Sequence, residues 1–269
     1  MTQPVEFEDP APFSIEDEKF DLIYPAKIRN LSSIFWTPVA VAAEAAKWLV
    51  TAPGVRVLDI GCGPGKFCLV AASLTDGNFT GVEQRKTLVD VAQLAATELG
   101  LLNADETVNA DPNEKTLAPG VSAHPSHPRD PRLVPRSSSS SRVEFIHGNI
   151  LEIDFADFDA FYLFNPFEEN MFQGNKIDRA VPLSPELFKK YTRHVSAQLG
   201  ARPMGTRVAT YMGYANDIPS CYSCEATHFD NDLKLWIKQR EYDPDLENFK
   251  VSRSYHGSAG RGPMRDRGF

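Results

Sequence analysis

The sequence predicts an α/β protein: a doubly wound, mostly parallel seven-stranded sheet with a terminal antiparallel hairpin and helices on both faces. Three observations predict it. Short apolar, strand-like runs alternate with amphipathic helical stretches, the order that builds a parallel sheet. A glycine-rich turn, "GCGPG", stands between the first such strand and its helix. The last two strand-like runs meet around Asp230-Asn231-Asp232, as an antiparallel pair would.

Taken in order, residues 1–30 read as a loosely packed N-terminal arm, because "FEDPAPFSIEDEKFD" is acidic and interrupted by proline. In "SSIFWTPVAVAAEAAKWLV" a helix is readable, with Thr37 as N-cap and Pro38 at the first helical position. Val39, Ala42, Ala46 and Leu49 then recur at helical spacing. "VRVLDI" is a buried strand, "KFCLVAASL" a helix, "NFTGVE" a second strand, and "RKTLVDVAQLAATELG" an amphipathic helix stopped by Gly100.

Residues 103–142 break the pattern. They carry Pro112, Pro119, Pro125, Pro128, Pro131 and Pro135, then serines from Ser137 to Ser141. Such a stretch buries too little apolar surface to offset its ordering entropy and reads as a disordered insertion, natural or engineered. The alternation resumes with the strands "VEFIHGN" and "FDAFYLFN". A helix, "SPELFKKYTRHVSAQLG", follows between its N-cap Ser184 and Gly200, then the strand "TRVATYMGY" and the closing hairpin. Residues 31–240 thus form the main domain, and 241–269 a flexible tail bearing Arg253, Arg261, Arg265 and Arg267.

Composition narrows the function classes. The 269 residues are 42% hydrophobic and 24% charged, with net charge -8, which gives no strong nucleic-acid signal. No apolar run approaches the ~20 residues of a membrane span, and the first residues lack a signal-peptide pattern. A cytoplasmic protein without membrane contact is expected. The four cysteines make no disulfide framework. Cys221 and Cys224 form a single C-x-x-C without a second pair, so no metal site is expected.

The most informative block is "VLDIGCGPGKF". Glycines between a strand and a helix let a ligand approach the backbone closely. A phosphate-binding P-loop fails, because Phe67 follows Lys66 where Ser or Thr is required. A dinucleotide fingerprint starting at Gly61 and Gly63 needs a small residue where Lys66 stands. What remains is D-x-G-x-G-x-G from Asp59 to Gly65, which resembles the first motif of the class I S-adenosylmethionine-dependent methyltransferases. The order of elements is similar too.

That resemblance implies S-adenosylmethionine as cofactor and a set of residues to hold it. Asp59 would meet the ammonium end, with Gly61, Cys62, Gly63 and Gly65 as the floor. Glu83, ending the second strand, would accept the ribose hydroxyls, with Gln84 beside the adenine. Asn149 and Ile150, in "HGNI", match the segment that recognises the adenine amine, although Asn149 replaces the usual aspartate. Thr37, in "WTP", would face the carboxylate of the methionine end.

The fourth strand ends in Asn165-Pro166-Phe167. In the amino-methylating branches of the family, [DNS]-P-P-[YF] occupies this place, and this chain is one proline short. The likeness implies that Asn165 holds an amine, Pro166 fixes the turn and Phe167 packs on the acceptor. "GVEQR", "HGNILEIDF" and "FNPF" together also show a weaker resemblance to the seven-strand histone-lysine methyltransferases. Glu168 and Glu169 either attract a cationic substrate or are solvated, and solvation is preferred. Tyr214 and His147 are possible proton acceptors, more readily read as structural. The acceptor stays open, a protein lysine or small amine being favoured, as does the oligomeric state. A non-catalytic cofactor-binding or interaction module is the alternative, and a nicotinamide-dependent oxidoreductase a third reading.

Overall fold

The computed structural model describes residues 14–102, 141–171, 176–213 and 218–245. Helices α1 (Ile15–Phe20), α2 (Ala26–Arg29), α3 (Ser32–Phe35) and α4 (Val39–Leu49) precede the first strand. Then follow β1 (Arg56–Ile60), α5 (Lys66–Leu74), β2 (Asn78–Glu83), α6 (Lys86–Glu98), β3 (Val143–His147) and β4 (Ala160–Phe164). Helix α7 (Pro185–Gly200), β5 (Arg207–Tyr211), β6 (Tyr222–His228) and β7 (Leu233–Lys238) complete the order.

The strands form one seven-stranded sheet in the order β3-β2-β1-β4-β5-β7-β6. Neighbours from β3 to β5 run parallel, while β7 pairs antiparallel with both β5 and β6. The expected terminal hairpin is therefore present, with a bulge between Cys224 and Ala226.

Period-two alternation assigns the two faces. Val57, Phe79, Tyr162 and Ala209 join residues of α4, α5 and α6 in one core. Leu58, Ile60, Phe161 and Val208 join Tyr191, Val195 and Leu199 of α7 in the other. With both faces covered, the central strands are apolar nearly throughout, as parallel strands must be. Asp59 shares the parity of Val57, so its carboxylate enters the first core.

Two local expectations are corrected. Pro38, not Thr37, occupies the N-cap of α4. Residues 14–30 are also no loose arm: a capping box at Ser14 and Asp17 starts α1, and Phe20, Asp21 and Tyr24 are buried. The agent is Lys66, buried at the start of α5, whose Nζ donates to Asp17 Oδ1 at 2.8 Å and Ser32 Oγ at 3.1 Å. It also stands 2.7 Å from Asp21 Oδ1, a second buried ion pair. Burial outweighs that contact and holds the Asp21 carboxyl above its usual range. The side chain that spoils a dinucleotide fingerprint thus clamps the preceding segment to the sheet.

Ser184 caps α7 as expected, accepting from Leu187 N. Among the described residues, no helix is long and apolar enough to cross a membrane. Most of the proline-rich insert, the arginine tail and Tyr214 lie outside the described residues.

Candidate functional site

The turn after β1 is built on left-handed glycines. Gly61 has φ +75°, and a Cβ there would lie 2.8 Å from Pro166 Cβ. Gly63 has φ +55°, and a Cβ there would lie 2.7 Å from the Trp36 ring. The turn is thus pressed between the loop after β4 and the N-terminal segment. Trp36 is anchored in turn by its indole N–H, donated to Ile28 O at 2.9 Å. Gly61 N and Cys62 N both donate to Val82 O, tying the turn to β2.

Glu83 stands where β2 ends. Its Oε2 accepts from Gly63 N at 3.2 Å and its Oε1 from Arg85 N at 2.9 Å. Burial raises the Glu83 carboxyl above its ordinary range, opposed by these N–H donors and by the Arg85 guanidinium. Each oxygen keeps further lone-pair capacity, since a carboxylate offers about four acceptor positions.

Asp59 is 3% exposed. Its Oδ2 accepts from the Cys68 thiol at 3.5 Å, a weak donor. Burial pushes its carboxyl up to about 8, the thiol bond pulling it down and the Glu83 charge adding to the rise. Asp59 and Glu83 form a buried acidic pair against the glycine turn.

Gln84 and Asn149 meet at one hydroxyl: each donates its side-chain amide to Tyr191 Oη at 3.4 Å. The oxygen of Asn149 accepts from Leu151 N at 3.0 Å, capping the turn that contains the buried Ile150. His147 Nε2 pairs with Gln84 O at 3.2 Å.

Asn165 has φ +40°. Both of its amide hydrogens are committed: Nδ2 donates to Met212 O at 2.9 Å and to Glu168 Oε2 at 3.1 Å. That leaves the side-chain oxygen as the acceptor of this amide. Pro166 lies on Gly61, so this amide is one residue from the glycine turn.

Thr37 and Phe167 are both packed against aromatic side chains. Thr37 is buried, its hydroxyl 3.0 Å from that of Tyr162, whose ring stacks on Phe67. Phe167 is buried in the second core, stacked on Tyr191 at 5.1 Å. Solvation fails for both glutamates. Glu169 Oε2 accepts from Arg85 Nη2 at 2.9 Å, and Glu169 Oε1 accepts from Ile177 N at 2.8 Å. Glu168 is half-buried on the Asn165 amide.

Arg85 escaped the sequence reading. It is buried, with Glu83 3.7 Å from Nη1, Glu169 on Nη2 and Asp178 2.9 Å from Nε. It binds the end of β2 to the loop after β4. The available signal was a cation following Glu83 in a chain whose fourth strand is followed by the acidic residues Glu168 and Glu169.

One family match falls in the first half of the domain. Residues 51–107, which span β1, the glycine turn, β2 and α6, match a family described as a methyltransferase domain. A 23S rRNA (uracil(747)-C(5))-methyltransferase of Halothiobacillus neapolitanus is 37% identical over 75 residues, covering 26% of this chain and 20% of the relative. The chain therefore spans only a small part of that relative's length. Among solved structures, magnesium protoporphyrin IX methyltransferase from Synechocystis covers 84% of this chain and 92% of its own, at 12% identity and TM-score 0.46. An RNA methyltransferase from Salinibacter ruber, in complex with S-adenosyl-L-homocysteine, covers 77% and 94%, at 20% identity and TM-score 0.42. Sheet order, closing hairpin and the matched methyltransferase domain agree: the chain has the class I S-adenosylmethionine-dependent methyltransferase fold.

Proposed function

We propose that the protein is an S-adenosylmethionine-dependent methyltransferase whose acceptor atom is an amino nitrogen of a protein side chain or small amine. The observation that carries the nitrogen assignment is the Asn165 amide. Its hydrogens go to Met212 O and Glu168 Oε2, which leaves an oriented oxygen to accept an N–H from the nucleophile.

The residues fit the cofactor. Glu83 has lone pairs left for a ribose diol, and among the described residues the buried Asp59 carboxylate accepts only a weak thiol donor where an ammonium would satisfy it. Bound there, S-adenosylmethionine would supply a methyl group activated by its sulfonium. The chain's own residues would hold the acceptor nitrogen with its lone pair aimed at that methyl, and Trp36 and Pro166 would exclude water around the turn. Gln84 and Asn149 would border the adenine, their amides held by Tyr191. We also place the protein in the cytoplasm, a reading supported by Cys62, Cys68, Cys221 and Cys224 all being free.

Two measurements test this. Calorimetry with S-adenosylhomocysteine should show binding that Glu83→Ala and Gly61→Arg abolish; wild-type protein that binds nothing at millimolar concentration overturns the reading. A radiolabelled methyl donor in cell lysate should label an acceptor through nitrogen, and Asn165→Ala should remove most of that label. Label recovered only on oxygen or carbon would refute the nitrogen assignment.

A further inference from the structure

Glu168 and Glu169 are sequence neighbours with different tasks. Glu169 neutralises Arg85. Among the described residues, no Lys, Arg or His forms an ion pair with Glu168. Its recorded partner is the Asn165 amide, at 3.1 Å from Oε2. A half-buried carboxylate without a cation is unfavourable until one arrives. Burial already holds this carboxyl above its ordinary range, and only the Asn165 bond opposes it.

Resting on the methyltransferase reading, we propose that Glu168 binds the acceptor: together with Asn165 Oδ1 it holds a primary ammonium and takes the proton that this group must lose. The two sites are joined through one amide, because the Nδ2 that fixes the orientation of Oδ1 is itself bonded to Glu168. An alkylammonium has no lone pair with which to attack. One N–H proton passes to a Glu168 carboxylate oxygen, leaving a neutral amine and a carboxylic acid. The freed lone pair then forms the N–C bond while the methyl C–S bond breaks, its electron pair staying on sulfur. The product is a methylammonium, and Glu168 returns its proton to solvent. Burial favours the transfer from both sides, raising the carboxyl and lowering an amine from its usual ~10.4.

The test needs no knowledge of the natural acceptor. Two ligands are titrated by calorimetry: S-adenosylhomocysteine, and sinefungin, its analogue with an amine-bearing carbon in place of sulfur. Wild-type protein should bind the amine analogue roughly ten-fold more tightly, as expected for an added hydrogen bond between charged groups. Glu168→Gln keeps length and an acceptor for Asn165, and should bring the ratio near one with S-adenosylhomocysteine affinity unchanged. Glu168→Asp, which keeps the charge, should retain part of the preference. A wild-type ratio near one overturns the proposal, as does a preference that survives in Glu168→Gln. Failure of the wild type to bind either ligand removes the methyltransferase reading itself, and this proposal with it.

Discussion

Lys66 and Asp17, 49 residues apart in sequence, form a buried ion pair at 2.8 Å that fastens the N-terminal segment to the helix following the glycine turn. Asp17 Oδ1 also accepts from Val39 N at 2.8 Å, so the pair sets the start of α4 as well. Removing one member of a buried pair strands the other charge, at about 3–5 kcal/mol. Lys66→Met should cost that much in urea denaturation. Adding Asp17→Asn and Asp21→Asn, which removes the stranded charges, should recover a substantial part. A triple variant no better than Lys66→Met would show that packing, not charge, holds the segment.

Asp59 gives the protein a pH dependence with a definite sign. Its folded-state carboxyl, near 8, lies above an unfolded value of ~3.9. A group shifted this way favours the fold while protonated. Its contribution is complete below the unfolded pKa, declines as pH rises, and is gone once pH has passed the folded pKa. The slope between those limits approaches about 1.4 kcal/mol per pH unit. Asp59→Asn should therefore match the wild type at pH near 4 and gain on it steadily toward alkaline pH. A difference independent of pH across that window would contradict the assignment.

The sheet and the glycine turn were readable because their causes are local. β1 shows its burial in its own letters, and left-handed turns leave glycines in the sequence. The position of Glu83 against the glycine turn was readable for the same reason, since it stands last in its strand. The N-terminal segment was misread because its helices are short and its composition is acidic. What holds it is a lysine far along the chain. Arg85 was missed likewise, with two of its partners 84 and 93 residues away. Composition does not say that the Asn149 oxygen caps a local turn, a habit of asparagine at such positions.

Arg85 should act as the joint between the end of β2 and the loop after β4. Arg85→Met leaves Glu83, Glu169 and Asp178 without their shared cation. The loss should be about 2–3 kcal/mol, below the ~3–5 of a fully buried pair because Asp178 stands partly in water. Arg85→Lys should rescue little, since one ammonium cannot serve three carboxylates in a planar fork. Limited proteolysis of the variant should cut faster within residues 168–181 than elsewhere. Uniform acceleration along the chain would mean a general destabilisation instead.

Two glycines with nearly the same backbone separate strain from contact. Gly54 has φ +81° with nothing within 4 Å of a built Cβ, whereas Gly61, at φ +75°, would press on Pro166. An alanine at either position carries the left-handed penalty of about 1–2 kcal/mol. Gly54→Ala should show that loss alone, leaving S-adenosylhomocysteine binding and methyl transfer as in the wild type. Gly61→Ala must in addition push the loop carrying Asn165 and Glu168 away from the turn. It should therefore lose more stability and lower transfer, since small misplacements of a reacting group can reduce rate by on the order of a hundred-fold. Equal stability and equal transfer in the two variants would mean that the Pro166 contact does not position the loop carrying Asn165 and Glu168.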